Sequence, residues 1–205
     1  MPTLALIDYG SGNLRSVTKA LQLVGAQVQR IADGPLPDDA AAVVLPGVGA
    51  FGDSVKQLRN RGLFDQVRHW VADGRRFLGV CLGYQLLFES SEESPGVQGF
   101  GILKGTVRRF PVTGLKVPHI GWNQIHWEAE TRTILPGLPE DPFVYFVHSY
   151  YPEPREASLI AATACYGVQF AAAVATKTLL ATQFHPEKSQ QSGLAILRQF
   201  VSSLA

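Results

Sequence analysis

The chain has 205 residues, 46% of them hydrophobic and 17% charged, with a formal net charge of +1. That length suits one α/β domain over residues 1–205 with a substantial core, and no basic stripe or acidic tail marks it for nucleic acid. The longest apolar run, 170–175, is far too short to cross a bilayer, so no membrane partner is expected.

The first elements alternate. Residues 4–7 read as a buried strand, 8–12 as the loop after it, and Asn13 as the cap of a helix carrying Leu14, Val17, Leu21 and Val24 on one face. Gly25 stops that helix, and 27–32 is a second strand. A third strand, 41–45, runs into the loop Pro46-Gly-Val-Gly-Ala-Phe-Gly52. Asp53 is the expected cap of a helix that continues, broken near Gly62, to about Ala72. Residues 76–80 form a fourth strand, followed by a helix expected from Leu82 to about Ser90. Strands alternating with helices predict βαβ units and a mostly parallel sheet.

Beyond this the pattern changes. Residues 105–110, 120–127, 143–147, 160–164, 168–175 and 179–183 are strand-like, separated by turns and without intervening helices, so an antiparallel portion is expected. Leu194, Leu197, Val201 and Leu204 share one face of a closing helix. The only two cysteines, Cys81 and Cys165, imply no disulfide framework, and the N-terminal segment lacks a basic region before its strand. A soluble, reduced, cytoplasmic protein is the expectation.

The chemistry begins at Gly79-Val-Cys-Leu-Gly-Tyr-Gln85. A cysteine between glycines, where a buried strand meets a helix, has the form of a nucleophile elbow; the small neighbours let strand and helix pack closely around a strained residue. A thiol at a helix N-terminus is favoured as thiolate. Taken alone, the heptad also fits a buried structural cysteine.

A thiolate that attacks a carbonyl needs a proton donor for the leaving group, usually a histidine held by a carboxylate. Of five histidines, His69 and His126 read as surface or structural, and His119 and His148 as strand-edge residues open to either reading. His185 lies in Phe-His-Pro-Glu-Lys. Pro186 ends the strand and keeps His185 extended, and Glu187 can curl back to the imidazole. Cys81, His185 and Glu187 thus form a candidate triad. The Leu82 N–H is the expected first oxyanion donor. The Gly47-Val48-Gly49 loop can supply a second, or be a plain strand-to-helix turn.

Together, the Gly-x-Cys-x-Gly-x-Gln elbow and the later Phe-His-Pro-Glu resemble the class I, triad-type glutamine amidotransferases. Segments 8–13, 46–53, 118–123, 145–151 and 184–189 are similar to the glutaminase subunits of imidazole glycerol phosphate synthase in that family. The resemblance implies a flavodoxin-like α/β fold, with a mostly parallel sheet flanked by helices and an added antiparallel portion. It implies L-glutamine as substrate, with Cys81 as nucleophile, His185 as acid and base, and Glu187 orienting His185. Gln85, Glu93, His148, Ser149 and Tyr150 would line the glutamine pocket. Ammonia would pass to a (β/α)8-barrel cyclase/synthase partner in a heterodimer, across a rim and gate that include Asn13, Trp122, Asn123, Tyr145 and Lys188. The barrel would make imidazole glycerol phosphate and an aminoimidazole carboxamide ribonucleotide in histidine biosynthesis, and its substrate would activate the glutaminase. No metal and no cofactor are implied. A γ-glutamyl hydrolase or another pathway's amidotransferase shares the triad but should lack the His-Ile-Gly-Trp-Asn segment.

Overall fold

The computed structural model describes residues 1–111 and 114–204. In chain order its elements are β1 (Thr3–Ile7), α1 (Leu14–Leu23), β2 (Gln27–Ile31), β3 (Ala42–Gly47), α2 (Phe51–Asn60), α3 (Phe64–Ala72), β4 (Phe77–Cys81), α4 (Leu82–Gln85), β5 (Phe88–Ser91), β6 (Leu103–Arg109), β7 (His119–Gln124), β8 (His126–Trp127), α5 (Ala129–Ile134), β9 (Phe143–His148), β10 (Tyr150–Pro154), β11 (Ile160–Tyr166), β12 (Val168–Ala175), β13 (Leu179–Thr182) and α6 (Gln190–Ser202).

The main sheet has eight strands in the order β2-β1-β3-β4-β13-β12-β11-β8. The first five are mutually parallel and the last three antiparallel. Its parallel half has the 2-1-3-4-5 order of flavodoxin-like sheets, with β13 in fifth place. Period-2 alternation places Leu4 and Leu6 in one core beneath α1 and α6, and Ala5 and Ile7 in the other beneath α2 and α3. A three-stranded sheet, β10-β6-β5, and a two-stranded ribbon, β7-β9, complete the antiparallel portion, although β5 and β6 run parallel.

Four expectations are corrected. The helix after Cys81 ends at Gln85 instead of Ser90, and Phe88 opens β5. The chain turns there because Phe100 N–H bonds the Leu86 carbonyl and Leu103 N–H the Leu87 carbonyl, drawing it into a sheet. Asp53 lies in the first turn of α2 and does not cap it; Ala50 is the cap residue. The helix's leading amides are taken by distant side chains: Phe51 N–H donates to Glu93 Oε2 at 2.7 Å and Gly52 N–H to Ser94 Oγ at 2.9 Å. Residues 120–127 do not form one strand. Ile125, fully buried, separates β7 from β8, and each joins a different sheet. Finally, the strand-only stretch contains the short helix α5, where Thr131 Oγ1 donates to the Ala161 carbonyl at 3.0 Å.

Candidate active site

Four loops meet at the carboxyl ends of β1, β3, β4 and β13, the side on which open parallel sheets hold their ligands. Register sets their level. Gly47 lies opposite Cys81, and Thr182 lies opposite Val80, so the residue after Thr182 arrives beside the cysteine.

Cys81 adopts φ 54°, ψ −102°, a left-handed backbone that a side-chain-bearing residue occupies only under constraint. The glycines on either side make it possible. A Cβ on Gly83 would collide with the Leu45 carbonyl, and one on Gly79 would lie 2.9 Å from the Gly83 carbonyl. The thiol sits on a helix of only four residues, which has little macrodipole, so thiolate stabilisation falls to individual neighbours.

His185 follows β13, and its backbone is fastened to β9: its N–H donates to the Tyr145 carbonyl at 2.9 Å, and Ser189 Oγ donates to the His185 carbonyl at 2.7 Å. Nδ1 lies 2.9 Å from Glu187 Oε1, with both side chains almost wholly buried. Among the described residues, Nε2 and Glu187 Oε2 have no hydrogen-bond partner of normal geometry. Burial alone would push the imidazole down. The negative charge of Cys81 and its approach to the ring, followed by Glu187, outweigh burial and raise the pKa to about 10. Cys81 is therefore close enough to bias the ring without being aligned for a full hydrogen bond.

A cavity of about 490 Å³ opens over the thiol. Its wall includes Val48, Gly49, Cys81, Leu82, Gln85, Glu93, His148, Ser149, Tyr150 and Lys188, with Pro118 and Val147. Gly47, His185 and Glu187 stand outside this wall. Gln85 is buried, and both its amide hydrogens are used: Nε2 donates to the Tyr150 carbonyl at 3.1 Å and to Gln183 Oε1 at 3.0 Å. Only Oε1 is left for a ligand, and it can only accept. Glu93 spends Oε2 on the start of α2.

In the loop after β3, Val48 N–H donates to Ser11 Oγ at 3.4 Å, while the Ser11 hydroxyl donates to the Val48 carbonyl. The Val48 amide is thus occupied in this arrangement. Leu82 N–H, as the first amide of α4, has no acceptor within its helix.

The rim residues divide between two faces of the β7-β9 ribbon. Trp122 packs edge-on against Tyr145 with centroids 6.2 Å apart, and Lys188 Nζ lies 5.6 Å from the Tyr145 ring. Ile120, Trp122 and Phe143 are 59%, 47% and 57% exposed, an apolar face without cover in the isolated chain. Asn123 points the other way, as adjacent strand residues do. It donates to the Cys165 carbonyl at 2.9 Å and lies 3.4 Å from His119 Nε2. Asn13 is exposed and caps α1 through Ser16 N–H at 3.3 Å.

Two residues the sequence reading passed over belong to this constellation, Gln183 and Ser11, together with His119, which it left open to either reading. Gln183 Nε2 donates to Cys81 Sγ at 3.6 Å. Its signal was a polar residue continuing an otherwise apolar strand. His119 Nδ1 bonds His148 Nε2 at 3.1 Å, and His148 Nδ1 bonds the Tyr150 carbonyl at 2.8 Å.

The site can be set beside known proteins. The family model described as glutamine amidotransferase class-I matches residues 5–204. The imidazole glycerol phosphate synthase subunit HisH of Microcystis aeruginosa is 49% identical over 100% of this chain and 97% of its own. The subunit of the same name from Acinetobacter baylyi is 46% identical, covering 98% of each chain, and that of Aquifex aeolicus 48% over 95% of this chain and 94% of its own. Among solved structures, a glutamine amidotransferase superposes with TM-score 0.76 at 20% identity, covering 98% of both chains. A PurLQS structure from Thermotoga maritima gives 0.74 at 16%, covering 99% of this chain and 97% of that one. These two show shared fold alone. The chain belongs to the class-I glutamine amidotransferases and, within them, to the HisH subunits of imidazole glycerol phosphate synthase.

Proposed function

We propose that the chain hydrolyses L-glutamine through Cys81, His185 and Glu187 and delivers the ammonia to a (β/α)8-barrel synthase subunit. The observation that carries this reading is the strained Cys81 elbow, set against an imidazole whose far nitrogen is held by a buried carboxylate at 2.9 Å.

Cys81 sulfur attacks the side-chain amide carbon, and the carbonyl oxygen becomes an oxyanion. Leu82 N–H and an amide of the Gly47–Gly49 loop receive it, each donor contributing about 3–4 kcal/mol to the transition state. With a pKa near 10, His185 is an imidazolium at neutral pH and gives its Nε2 proton to the departing ammonia. The neutral ring then removes a proton from water as water attacks the thioester. Carbon–sulfur cleavage releases glutamate and returns the thiolate. Glu187 keeps the ring in the tautomer that presents Nε2.

Gln85 accepts a hydrogen bond from glutamine through Oε1, and Glu93, His148, Ser149 and Tyr150 shape the rest of the pocket. The barrel subunit seats on the Ile120, Trp122 and Phe143 face, with Asn13, Tyr145 and Lys188 at its edge, while Asn123, on the ribbon's other face, anchors the strand to the Cys165 carbonyl. Aromatic anchors ringed by polar groups suit such an interface. The barrel's products would be imidazole glycerol phosphate and an aminoimidazole carboxamide ribonucleotide.

The test is glutamine hydrolysis with and without the barrel and its nucleotide, alongside Cys81→Ala. Glutamine-dependent synthesis should vanish in this variant while synthesis from ammonium salts persists. Equal, high turnover with and without the barrel would remove the allosteric part of the reading. Loss of ammonium-dependent synthesis would make Cys81 structural.

A further inference from the structure

The amide of Gln183 is fully buried, and its orientation is dictated by groups that cannot turn. The Tyr150 carbonyl can only accept, so the Gln85 atom 3.1 Å away is Nε2. The second hydrogen of that Nε2 points at Gln183 from 3.0 Å, so the facing atom is Oε1. Gln183 Nε2 is thereby turned towards Cys81 Sγ, at a distance suited to a sulfur acceptor. The carbonyl at the root of this chain is held from its other side as well. His148 Nδ1 donates to it at 2.8 Å, and Nε2 of the same ring accepts from His119 Nδ1 at 3.1 Å.

We propose that Gln183 is a further catalytic residue of the glutaminase: its amide N–H stabilises the Cys81 sulfur as thiolate before attack and again as it leaves the acyl-enzyme, with Gln85 as its positioning residue. This rests on the triad reading above. When the carbon–sulfur bond forms, the sulfur becomes neutral and the hydrogen bond weakens. When water displaces the sulfur, the bonding pair returns to it and the hydrogen bond is restored. The donor thus lowers the cost of thiolate formation and improves the leaving group. A neutral amide performs this without adding charge to a buried site, and α4 is too short to substitute for it.

The experiment uses the full chain carrying Cys165→Ser, so that Cys81 is the only thiol. The alkylation rate of Cys81 by iodoacetamide is measured against pH for this parent and for Gln183→Met, which keeps length but donates nothing. The inflection should move up by about one unit and the rate at any pH below the inflection fall about tenfold, as expected for losing one hydrogen bond to a charged group. In the complex with the barrel, kcat for glutamine should fall while KM changes little. Gln183→Glu should fall further, since a carboxylate only accepts and repels the thiolate. Should Gln183→Met fail to fold by circular dichroism, Gln85→Met, which frees the Gln183 amide to rotate, must show the same upward shift at smaller size. A profile that superposes on the parent in the folded variant overturns the Gln183 role, whatever happens to kcat. The triad reading fails separately, if Cys81→Ala retains glutaminase activity.

Discussion

Ser11 Oγ holds both backbone polar groups of Val48, accepting from its N–H at 3.4 Å and donating to its carbonyl. One side chain from the loop after β1 therefore ties down the amide that the loop after β3 would offer to an oxyanion. Ser11→Ala removes both bonds. At about 1 kcal/mol for each of the two hydrogen bonds, partner-free glutamine hydrolysis should rise up to about thirtyfold and stimulation by the barrel should shrink. Steady-state kinetics of the isolated chain check this; an unchanged or lower basal rate would show that Ser11 does not restrain the loop.

Cys81 is the main influence that keeps His185 charged. Replacing the thiol by a hydroxyl, Cys81→Ser, removes the main influence that lifts the imidazole and leaves burial opposed only by Glu187. The His185 pKa should fall from about 10 by about two units, the size of a lost neighbouring charge. Titration of the His185 ring signals by NMR reads this directly. A value unmoved by the substitution would mean that Glu187 alone holds the proton.

His119 and His148 behave in the opposite way. Burial pushes His119 down to about 4 and His148, despite support from the Tyr150 carbonyl, to about 3. An unfolded imidazole takes up its proton near pH 6.5, whereas these two do so only near 4 and 3. Between those limits the unfolded state binds more protons. Their contribution to stability is therefore complete above pH 6.5 and is lost as pH falls, by up to about 1.4 kcal/mol per pH unit for each ring. His119→Phe keeps an aromatic ring between Tyr166 and Phe146, whose centroids lie 4.0 and 4.9 Å away. It should flatten the decline by one proton's worth down to about pH 4. Urea unfolding midpoints from pH 7 to 4 measure the slope, and parallel slopes would exclude His119 as a contributor.

Glu93 lines the cavity and also accepts from the start of α2, two positions that draw on different properties of one carboxylate. Glu93→Ala leaves the Phe51 N–H without its acceptor and should cost about 1 kcal/mol, as loss of a helix cap does. Glu93→Gln retains an acceptor oxygen but no charge. Its melting temperature should stay near the parent's while KM for glutamine rises about tenfold, the effect of losing a charged partner for the substrate's ammonium group. Thermal melts and kinetics on the two variants separate the roles; an unchanged KM in Glu93→Gln would confine Glu93 to capping.

Much of this was written locally. Alternating apolar runs and glycine stops placed β1 to β4 and their helices within a few residues, because period and punctuation are properties of short windows. The elbow and Phe-His-Pro-Glu were legible for the same reason: strain at Cys81 needs adjacent glycines, and the His185–Glu187 pair spans a single turn. The helix after Cys81 was misjudged because Leu86, Leu87 and Phe88 are apolar enough for either state, and pairing with β6 decided it.

The local pattern of residues settled the alternation of elements and singled out Cys81 and His185 as the candidate nucleophile and acid, since each depends on neighbours a few positions away. Tertiary structure alone decided which groups surround them. Gln183 reaches Cys81 across 102 residues, Ser11 reaches Val48 across 37, and His119 reaches His148 across 29. Such contacts carry no periodicity. They arise when strand register brings β13 level with β4 and β7 level with β9, and buried polar atoms must then find partners among whatever the fold has placed within reach.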